Sequence, residues 1–176
     1  VLKGLEAIGI NMDEPWIRRG RDWLERHQNA DGGWGESCAS YEDSSLRGRG
    51  RSTPSQTAWA LMGILSFRDC HRESIRRGIE FLLKTQNNDG SWDEELITGT
   101  GFPKVFYLKY DMYRNTWPLM ALSLYQQRIS AQVPSGATRG TVHAELEPAL
   151  TTRASGLGLR PGFGLLKGFF TKLNHG

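Results

Sequence analysis

The chain has 176 residues and a formal net charge of +3, and its arginines are scattered along the sequence. So small and dispersed an excess of positive charge argues against a nucleic-acid-binding protein. No apolar run reaches about 18 residues, so we expect no membrane-spanning helix, although this piece could still lie on a membrane surface. The two cysteines, Cys38 and Cys70, lack the paired spacing of a metal site and fit a reducing compartment. We therefore expect neither a metal ion nor a cofactor.

The first residues already follow a helical pattern. The stretch VLKGLEAIGI carries apolar residues at helical spacing, and no Met stands at position 1. This pattern predicts the end of a buried helix that belongs to an earlier structural unit. We expect the chain to be a piece of a longer protein.

Two copies of one segment follow. Residues 18–34 read RRGRDWLERHQNADGGW, and residues 76–92 read RRGIEFLLKTQNNDGSW. Each copy predicts an amphipathic helix that ends at an Asn-x-Asp-Gly turn, where Asp bonds its own backbone and Gly tolerates positive φ. Repetition of a whole segment indicates an array of similar units. The identical pairs, each 58 positions apart, are Arg18/Arg76, Arg19/Arg77, Gly20/Gly78, Leu24/Leu82, Gln28/Gln86, Asn29/Asn87, Asp31/Asp89, Gly32/Gly90 and Trp34/Trp92.

Each repeated helix has a predicted apolar stripe. The first helix begins near Pro15, which suits a first helical turn. Its stripe comprises Trp16, Gly20, Trp23, Leu24 and His27. The stripe of the second helix comprises Ile75, Ile79, Leu82 and Leu83.

A mostly apolar segment follows each copy. TPSQTAWALMGILSF predicts an inner helix, with Thr53 as its N-cap and Pro54 at its first position. DMYRNTWPLMALSLYQQ has the same role after the second copy, and its Pro118 would sit inside a helix or break it. Short strands are not indicated anywhere. The predicted fold class is therefore all-α, as part of an α/α array that is either an open solenoid or a closed barrel (toroid) of helical hairpins.

The repeated glutamine and tryptophan have a structural interpretation. A Gln at a helix end can offer its amide to the unpaired carbonyls there and to the start of a neighbouring helix. The Trp six residues later could return across the turn and lie flat on that amide. The alternative is that Trp34 and Trp92 line a ligand site. We favour a structural role for Gln28, Trp34, Gln86 and Trp92, because a repeated element should do a repeated job.

The composition changes near residue 129. Residues 130–176 are rich in Gly, Ser, Thr and Ala and show no sustained period, which is typical of a linker or a disordered tail. Within this tail, residues 163–173 could form a small amphipathic helix on a membrane surface. We therefore divide the chain into a helical domain at residues 1–129 and a low-complexity tail at residues 130–176.

These motifs resemble a known family. The Gln-x-x-x-Gly-x-Trp element resembles the repeats of the triterpene cyclases, which are α/α barrels. Three further strings, GGWGESCASYED, STPSQTAWALMG and TGTGFPKVFYLKYDMYRN, resemble the carboxy-terminal part of bacterial squalene–hopene cyclases. The resemblance covers about residues 1–129, and its Gly-Thr-Gly-Phe-Pro segment favours the squalene branch over the oxidosqualene branch.

The resemblance implies an activity and a set of site residues. The family cyclises squalene to pentacyclic hopene and hopanol through carbocations in an aromatic-lined cavity, and a desolvated cation gains about 2 kcal/mol or more from an aromatic face. The matching positions are Phe102 and Phe106 for cations of the middle and later rings, Leu108 for an apolar wall, and Tyr110 and Tyr113 near the early rings. The four aromatic residues would share one face if this stretch were helical, although Pro103 makes its start irregular.

Other implications concern the whole enzyme. The family's Asp-x-Asp-Asp-Thr proton-donor motif does not occur in this chain, so we expect the piece alone to be inactive. Lys104 and Val105 also depart from the small residue and acid that some members carry there. The resemblance further implies a monotopic enzyme on the cytoplasmic face of the bacterial membrane, often a homodimer, that takes squalene or a related polyprenyl substrate.

Three alternative functions use related helical folds. Protein prenyltransferases use a related α/α barrel with a zinc site, and Asp31, Cys38, Cys70 and His71 supply the residue types without a spacing that places them together. A toroid sugar lyase would need a polar groove, for which GFPKVFYL is too apolar. A helical-repeat interaction module without catalysis is the third alternative.

Charged loop residues have simpler interpretations. Glu94 with Glu95, and Glu42 with Asp43, could do acid–base work, but loop carboxylates are more often solvated or capping. The RGRGR stretch at 47–51 is a small patch and only a weak indication of nucleic acid or lipid headgroups.

Overall fold

The structure, a computed structural model, describes residues 1–132. This region contains five α-helices, one two-stranded sheet and two short 3-10 turns between α2 and α3. The helices are α1 (Leu2–Ala7), α2 (Pro15–Arg26), α3 (Pro54–Leu65), α4 (Glu73–Thr85) and α5 (Tyr113–Gln132); the strands are β1 (Gly99–Phe102) and β2 (Phe106–Leu108).

Helix α3 is the inner helix that the sequence predicts. The Oγ1 atom of Thr53 accepts a hydrogen bond from the Gln56 backbone N–H at 3.2 Å, and Pro54 occupies the first turn, so both predicted start signals are confirmed. Nine of its twelve residues are buried. The helix contacts α1, α2 and α4, which explains why a nearly uniform apolar sequence is stable there.

The core lies between α3, α4 and the segments that follow α2 and α4. Fully burying one large apolar side chain contributes about 1.5–3 kcal/mol, so this cluster provides much of the driving force for folding. Its largest fully buried members are Trp92, Leu61, Ile64, Leu65, Ile75 and Leu82.

The two repeated helices differ in how far they are covered. The predicted stripe of α4 packs inward, with Ile75, Ile79 and Leu82 buried. In α2, by contrast, Ile17 is the buried residue, and the predicted stripe residues Trp16 and Trp23 are 51% and 37% exposed. All five predicted stripe residues of α2 border one open cleft, so they do share a side of the helix, but the core covers that side only in part.

A β-hairpin contradicts the prediction that the chain has no strands. Strands β1 and β2 are antiparallel, with Gly99 paired to Leu108 and Phe102 to Phe106, and a bulge falls between Thr100 and Phe102. The intervening residue Lys104 has a positive φ of 69°. Residues 102–110 are consequently not helical, so the condition under which the four aromatic residues would share one helical face is not met. Strands this short carry too few alternating residues to be recognised by period.

Helix α5 continues through Pro118, which settles the choice between an internal proline and a break. Pro118 lacks the N–H that would reach the carbonyl of Arg114, so the helix continues with this one hydrogen bond missing. Pro118, Ala121 and Leu122 are buried, so α5 takes an inner role over part of its length.

The predicted tail, with its 163–173 helix, lies outside the described residues, and α5 runs to Gln132, a little past the predicted domain boundary. Among residues 1–132 no helix is both long and apolar enough to cross a bilayer.

Candidate functional site

The two Asn-x-Asp-Gly turns have nearly the same hydrogen bonds. The Gln28 amide donates to the Gly32 carbonyl at 2.8 Å, and the Gln86 amide donates to the Gly90 carbonyl at 2.9 Å. The first amide also donates to the Ser74 carbonyl, at the start of α4, at 2.8 Å. Both glycines have positive φ, as the turn chemistry predicts. The repeated glutamines therefore close their own turns, and Gln28 also reaches the next hairpin.

The repeated tryptophans satisfy helix-end carbonyls, a role that the sequence does not reveal. The indole N–H of Trp34 donates to the Leu24 carbonyl at 2.7 Å, and that of Trp92 donates to the Leu82 carbonyl at 2.8 Å. Their exposed fractions are 5% and 0%. Each indole thus caps the end of the outer helix that precedes it in the chain, and its ring fills the core beside that helix.

The backbone of the same tryptophans connects the outer helices to the inner helices. The Trp34 N–H donates to Thr57 Oγ1 at 2.9 Å, and the Trp92 N–H donates to Asn115 Oδ1 at 3.0 Å. Thr57 lies on α3 and Asn115 on α5, again 58 positions apart. The repeat therefore includes the inner helices, and Trp34 and Trp92 connect its outer helices to them.

An open cleft of about 830 Å³ borders the inner helix. Its wall combines α1, α2, α3 and α5 with the loop that precedes α3. The lining is mainly apolar and includes Leu2, Trp16, Trp23, Trp59, Met62 and Trp117.

The uncovered stripe of α3 faces this cleft. The three α3 residues that are not buried are Gln56, Trp59 and Met62, and their spacing of three places them along one side of the helix. The Gln56 amide is occupied, because its Oε1 accepts from the Glu36 N–H at 2.6 Å and its Nε2 donates to the Glu36 carbonyl at 3.1 Å. Trp59 and Met62 remain as the apolar side chains of the stripe.

Four aromatic rings meet beside this stripe; we call them the aromatic cluster, comprising Trp59, Tyr110, Tyr113 and Trp117. Trp59 is edge-to-face with Tyr113 at 5.8 Å between ring centroids and with Trp117 at 6.0 Å. Tyr113 is also edge-to-face with Trp117 at 5.8 Å. Tyr110 stacks on Tyr113 at 4.8 Å with 24° between the ring planes. The cluster therefore joins α3, the segment after the hairpin and α5.

The five residues predicted to face a substrate fall into two groups. Tyr110 and Tyr113 lie together in the aromatic cluster, whereas Phe102, Phe106 and Leu108 lie on the hairpin. Phe102 is 70% exposed, Phe106 is 50% exposed and Tyr110 is 48% exposed. Leu108 and Tyr113 are half-buried.

One glycine of the Gly-Thr-Gly-Phe-Pro segment has a steric explanation. A Cβ atom at Gly101 would lie 2.7 Å from Cδ1 of the Phe106 ring, closer than real Cβ atoms approach other atoms. A Cβ at Gly99 would lie 3.4 Å from both the Leu108 carbonyl oxygen and the Tyr110 ring. Gly101 therefore makes room for the ring of Phe106 on the hairpin.

Sequence reasoning missed Trp59 and Trp117 as partners of the predicted tyrosines. A signal was present, because Trp59, Leu61 and Met62 recur as Trp117, Leu119 and Met120, with the same offset of 58 as the outer helices. Extending the repeat into the inner helices would have placed the two tryptophans at equivalent positions.

Glu94 is a capping carboxylate, as one of the two simple interpretations predicts. Its side chain is buried and accepts hydrogen bonds from the Ser55 backbone N–H at 2.9 Å and the Ser55 hydroxyl at 2.8 Å. Ser55 lies in the first turn of α3, where a negative charge is favoured by the helix dipole. The remaining carboxylates, on Glu42, Asp43 and Glu95, are exposed, and hydrogen bonds from Ser45 hold the pKa of Asp43 below its usual range.

The cleft contains one thiol, that of Cys38, among its described lining. Burial and the neighbouring Glu36 charge raise the pKa of this thiol, so it stays protonated near neutral pH. Within residues 1–132 no group of three or more His, Cys, Asp or Glu side chains could hold a metal ion.

Comparison with known proteins follows the same motifs. A family described as the squalene-hopene cyclase C-terminal domain matches residues 1–127. A squalene–hopene cyclase of Alicyclobacillus acidocaldarius is 54% identical over 71% of this chain, and one of Bradyrhizobium diazoefficiens is 46% identical over 72%. A dammaradiene synthase of Dryopteris crassirhizoma is 44% identical over 74% of the chain.

The match covers only part of each relative: 28% of the Alicyclobacillus enzyme, 19% of the Bradyrhizobium enzyme and 21% of the Dryopteris enzyme. Along the described residues, the helical hairpins and their repeated turns agree with a family whose fold is an α/α toroid. The matched region also includes every predicted site residue, from Gln28 to Tyr113. This chain belongs to the squalene-hopene cyclase C-terminal domain family.

Proposed function

We propose that this chain is part of a triterpene cyclase that converts squalene into pentacyclic hopene and hopanol. In this proposal the chain supplies aromatic cavity wall, and Phe102, Phe106, Leu108, Tyr110 and Tyr113 face the substrate. The proton donor lies in another part of the enzyme, because the chain lacks an Asp-x-Asp-Asp-Thr motif. The piece alone would therefore be inactive.

One observation carries the proposal. The scaffold tryptophans Trp34 and Trp92 are buried, whereas none of the six aromatic residues between positions 102 and 117 is buried. A protein that needed those rings for folding would place them in its core. An exposed concentration of aromatic side chains is typical of a binding surface. The six residues are Phe102, Phe106, Tyr107, Tyr110, Tyr113 and Trp117.

The proposed chemistry suits such a wall. Protonation of a terminal double bond creates a carbocation, and each following alkene gives its π electron pair to form a new carbon–carbon bond and move the charge onward. Loss of a proton from carbon ends the cascade as hopene, whereas addition of water followed by loss of a proton from its oxygen ends it as hopanol. An aromatic face stabilises each cation by about 2 kcal/mol or more when water is excluded, and an apolar wall delays quenching by water.

The substrate also suggests the location of the intact enzyme. Squalene is a hydrocarbon that partitions into a bilayer, so its enzyme should meet the membrane surface. We propose a monotopic attachment at the cytoplasmic face and a homodimeric assembly for the complete protein. Both rest on the proposed substrate and on the family resemblance.

Replacement of Phe102 tests the function. In the protein expressed from the complete gene, Phe102→Ala should release partly cyclised products from squalene, because a cation beside residue 102 would lose its aromatic partner. A matched control is Phe67→Ala, since Phe67 is half-buried, lies under the Arg21 guanidinium at 4.9 Å and is outside the hairpin. The control should keep the original product ratio. Unchanged products in the Phe102 variant would assign that ring to packing alone.

A second candidate is an interaction module without catalysis. The exposure of Phe102 and of its hairpin neighbour Val105 favours this alternative, because exposed apolar side chains also occur at protein interfaces. The two functions differ in one assay. Purified protein from the complete gene should convert squalene if it is a cyclase, and it should leave squalene unchanged if it is an interaction module.

A further inference from the structure

Trp59 contacts Tyr113, one of the two tyrosines predicted to face a substrate, from a different helix. Its ring is edge-to-face with Tyr113 at an interplanar angle of 78° and with Trp117 at 75°. Trp117 is edge-to-face with Tyr113 at 79°. Each pair in this triangle has the perpendicular geometry that aromatic rings prefer. Tyr113 is therefore held by two rings that were not among the predicted site residues.

The orientation of the Tyr113 ring depends on these neighbours. Tyr113 is half-buried and is the first residue of α5, so the helix interior does not enclose it. The last torsion of a tyrosine side chain has a broad energy profile, and packing has to define the plane of the ring. Tyr110 stacks on Tyr113, so any rotation of Tyr113 also changes the face that Tyr110 presents.

Trp59 lies on a helix that is held in place by burial and by caps. Trp59 lies in the middle of α3, whose other residues are mostly buried. The start of α3 is capped by Thr53 and by the Glu94 carboxylate. The hairpin residues Phe102 and Phe106, in contrast, are largely exposed. Helix α3 therefore provides a fixed reference against which the ring of Tyr113 is placed.

Trp117 depends on ring contacts as well. Its indole nitrogen is buried and has no hydrogen-bond acceptor among the described residues. No directional bond within residues 1–132 therefore orients this indole through its N–H. The position of the Trp117 ring is therefore defined by its contacts with Trp59 and Tyr113.

We propose that Trp59, together with Trp117, is a positioning residue that sets the orientation of Tyr113 and, through it, of Tyr110. This inference rests on the proposed function, because it concerns rings that would face a carbocation. A cation is stabilised over the face of a ring and not at its edge, since the quadrupole is negative only at the face. A rotated Tyr113 would stabilise its cation less, and more of the substrate would leave as a partly cyclised product.

Product ratios measured with squalene test this role in the protein from the complete gene. Trp59→Leu should raise the fraction of partly cyclised product by about two- to tenfold, the change that loss of one aromatic pair produces in a ratio of competing rates. Trp59→Phe keeps a ring and should give a smaller change. The double variant Trp59→Leu/Tyr113→Leu should resemble Tyr113→Leu alone, because Trp59 acts through Tyr113. Additive effects of the two substitutions would overturn the proposal.

A spectroscopic measurement separates this inference from the proposed function. With 3-fluorotyrosine placed at residue 113, Trp59→Leu should shift or broaden the ¹⁹F signal. Trp16→Leu is the control, because Trp16 makes no ring contact with the aromatic cluster in the described part of the chain, and it should leave the signal unchanged. An unaltered signal in Trp59→Leu would overturn the positioning role. An altered signal in a protein that converts no squalene would support the positioning role and reject the proposed function.

Discussion

Gly78 and Gly20 occupy equivalent positions in α4 and α2, and their substitution by Ala should have opposite effects. A Cβ atom at Gly78 would lie 2.8 Å from Leu61 Cδ2 and 2.8 Å from Trp34 Cζ3. Favourable carbon–carbon contacts lie at about 3.5–4.0 Å, and both of these neighbours are buried. A Cβ at Gly20 would find only Leu2 Cδ2, at an ordinary 3.5 Å.

The magnitudes follow from these distances. Overpacking of a tight core costs about 1–3 kcal/mol, and displacement of Trp34 would weaken its bond to the Leu24 carbonyl, worth about 1 kcal/mol. Replacement of a helical Gly by Ala returns about 1 kcal/mol of helix propensity. Gly78→Ala should therefore lower the free energy of unfolding by about 1–3 kcal/mol. Gly20→Ala should raise it by up to about 1 kcal/mol.

Urea unfolding of the two variants, measured side by side in the protein from the complete gene and followed by tryptophan fluorescence, gives the comparison. Because both substitutions change a helical Gly to Ala, the difference between the two free energies of unfolding isolates the effect of the contact with Trp34 and Leu61. Equal midpoints for the two variants would refute the argument that Gly78 is required for the packing of the repeated tryptophan.

Two further predictions concern charged groups. Glu94→Gln should lower the free energy of unfolding by about 1–2 kcal/mol, because an amide is uncharged and has only one oxygen to accept the two hydrogen bonds from Ser55. The control Glu95→Gln changes an exposed side chain and should alter the free energy of unfolding by less than about 0.5 kcal/mol. Equal urea midpoints for the two variants would contradict a capping role for Glu94. Burial of Glu6 raises its pKa, but hydrogen bonds and charge from Lys3 and Arg128 more than offset this and hold the pKa below 4.5. A carboxylate whose pKa is lower in the folded state than in the unfolded state stabilises the fold at pH above its unfolded-state pKa. This contribution is lost as the pH falls through its folded-state pKa. The thermal midpoint of Arg128→Met should therefore lie below that of the unmodified protein at about pH 6 and approach it near about pH 3; a constant difference would argue against the ion pair.

The sequence by itself determined the features that depend on neighbouring residues. Helix starts such as Thr53 with Pro54, and the two Asp-Gly turns, are written in short strings because caps and turns are satisfied within a few residues. The 58-residue repeat and the resemblance to the squalene–hopene cyclases are also sequence properties, and the match over residues 1–127 confirms the family.

Only the tertiary structure decided the contacts between distant segments. The hairpin at 99–108 is too short and too rich in Gly to show a strand period, so only the structure reveals its pairing. The indole N–H of Trp34 caps Leu24, and the Glu94 carboxylate caps α3, because folding brings together groups that no local pattern connects. The aromatic cluster arises in the same way. Residue 59 and residues 110–117 meet because α3 and α5 pack as equivalent inner helices, which places Trp59 beside Tyr113.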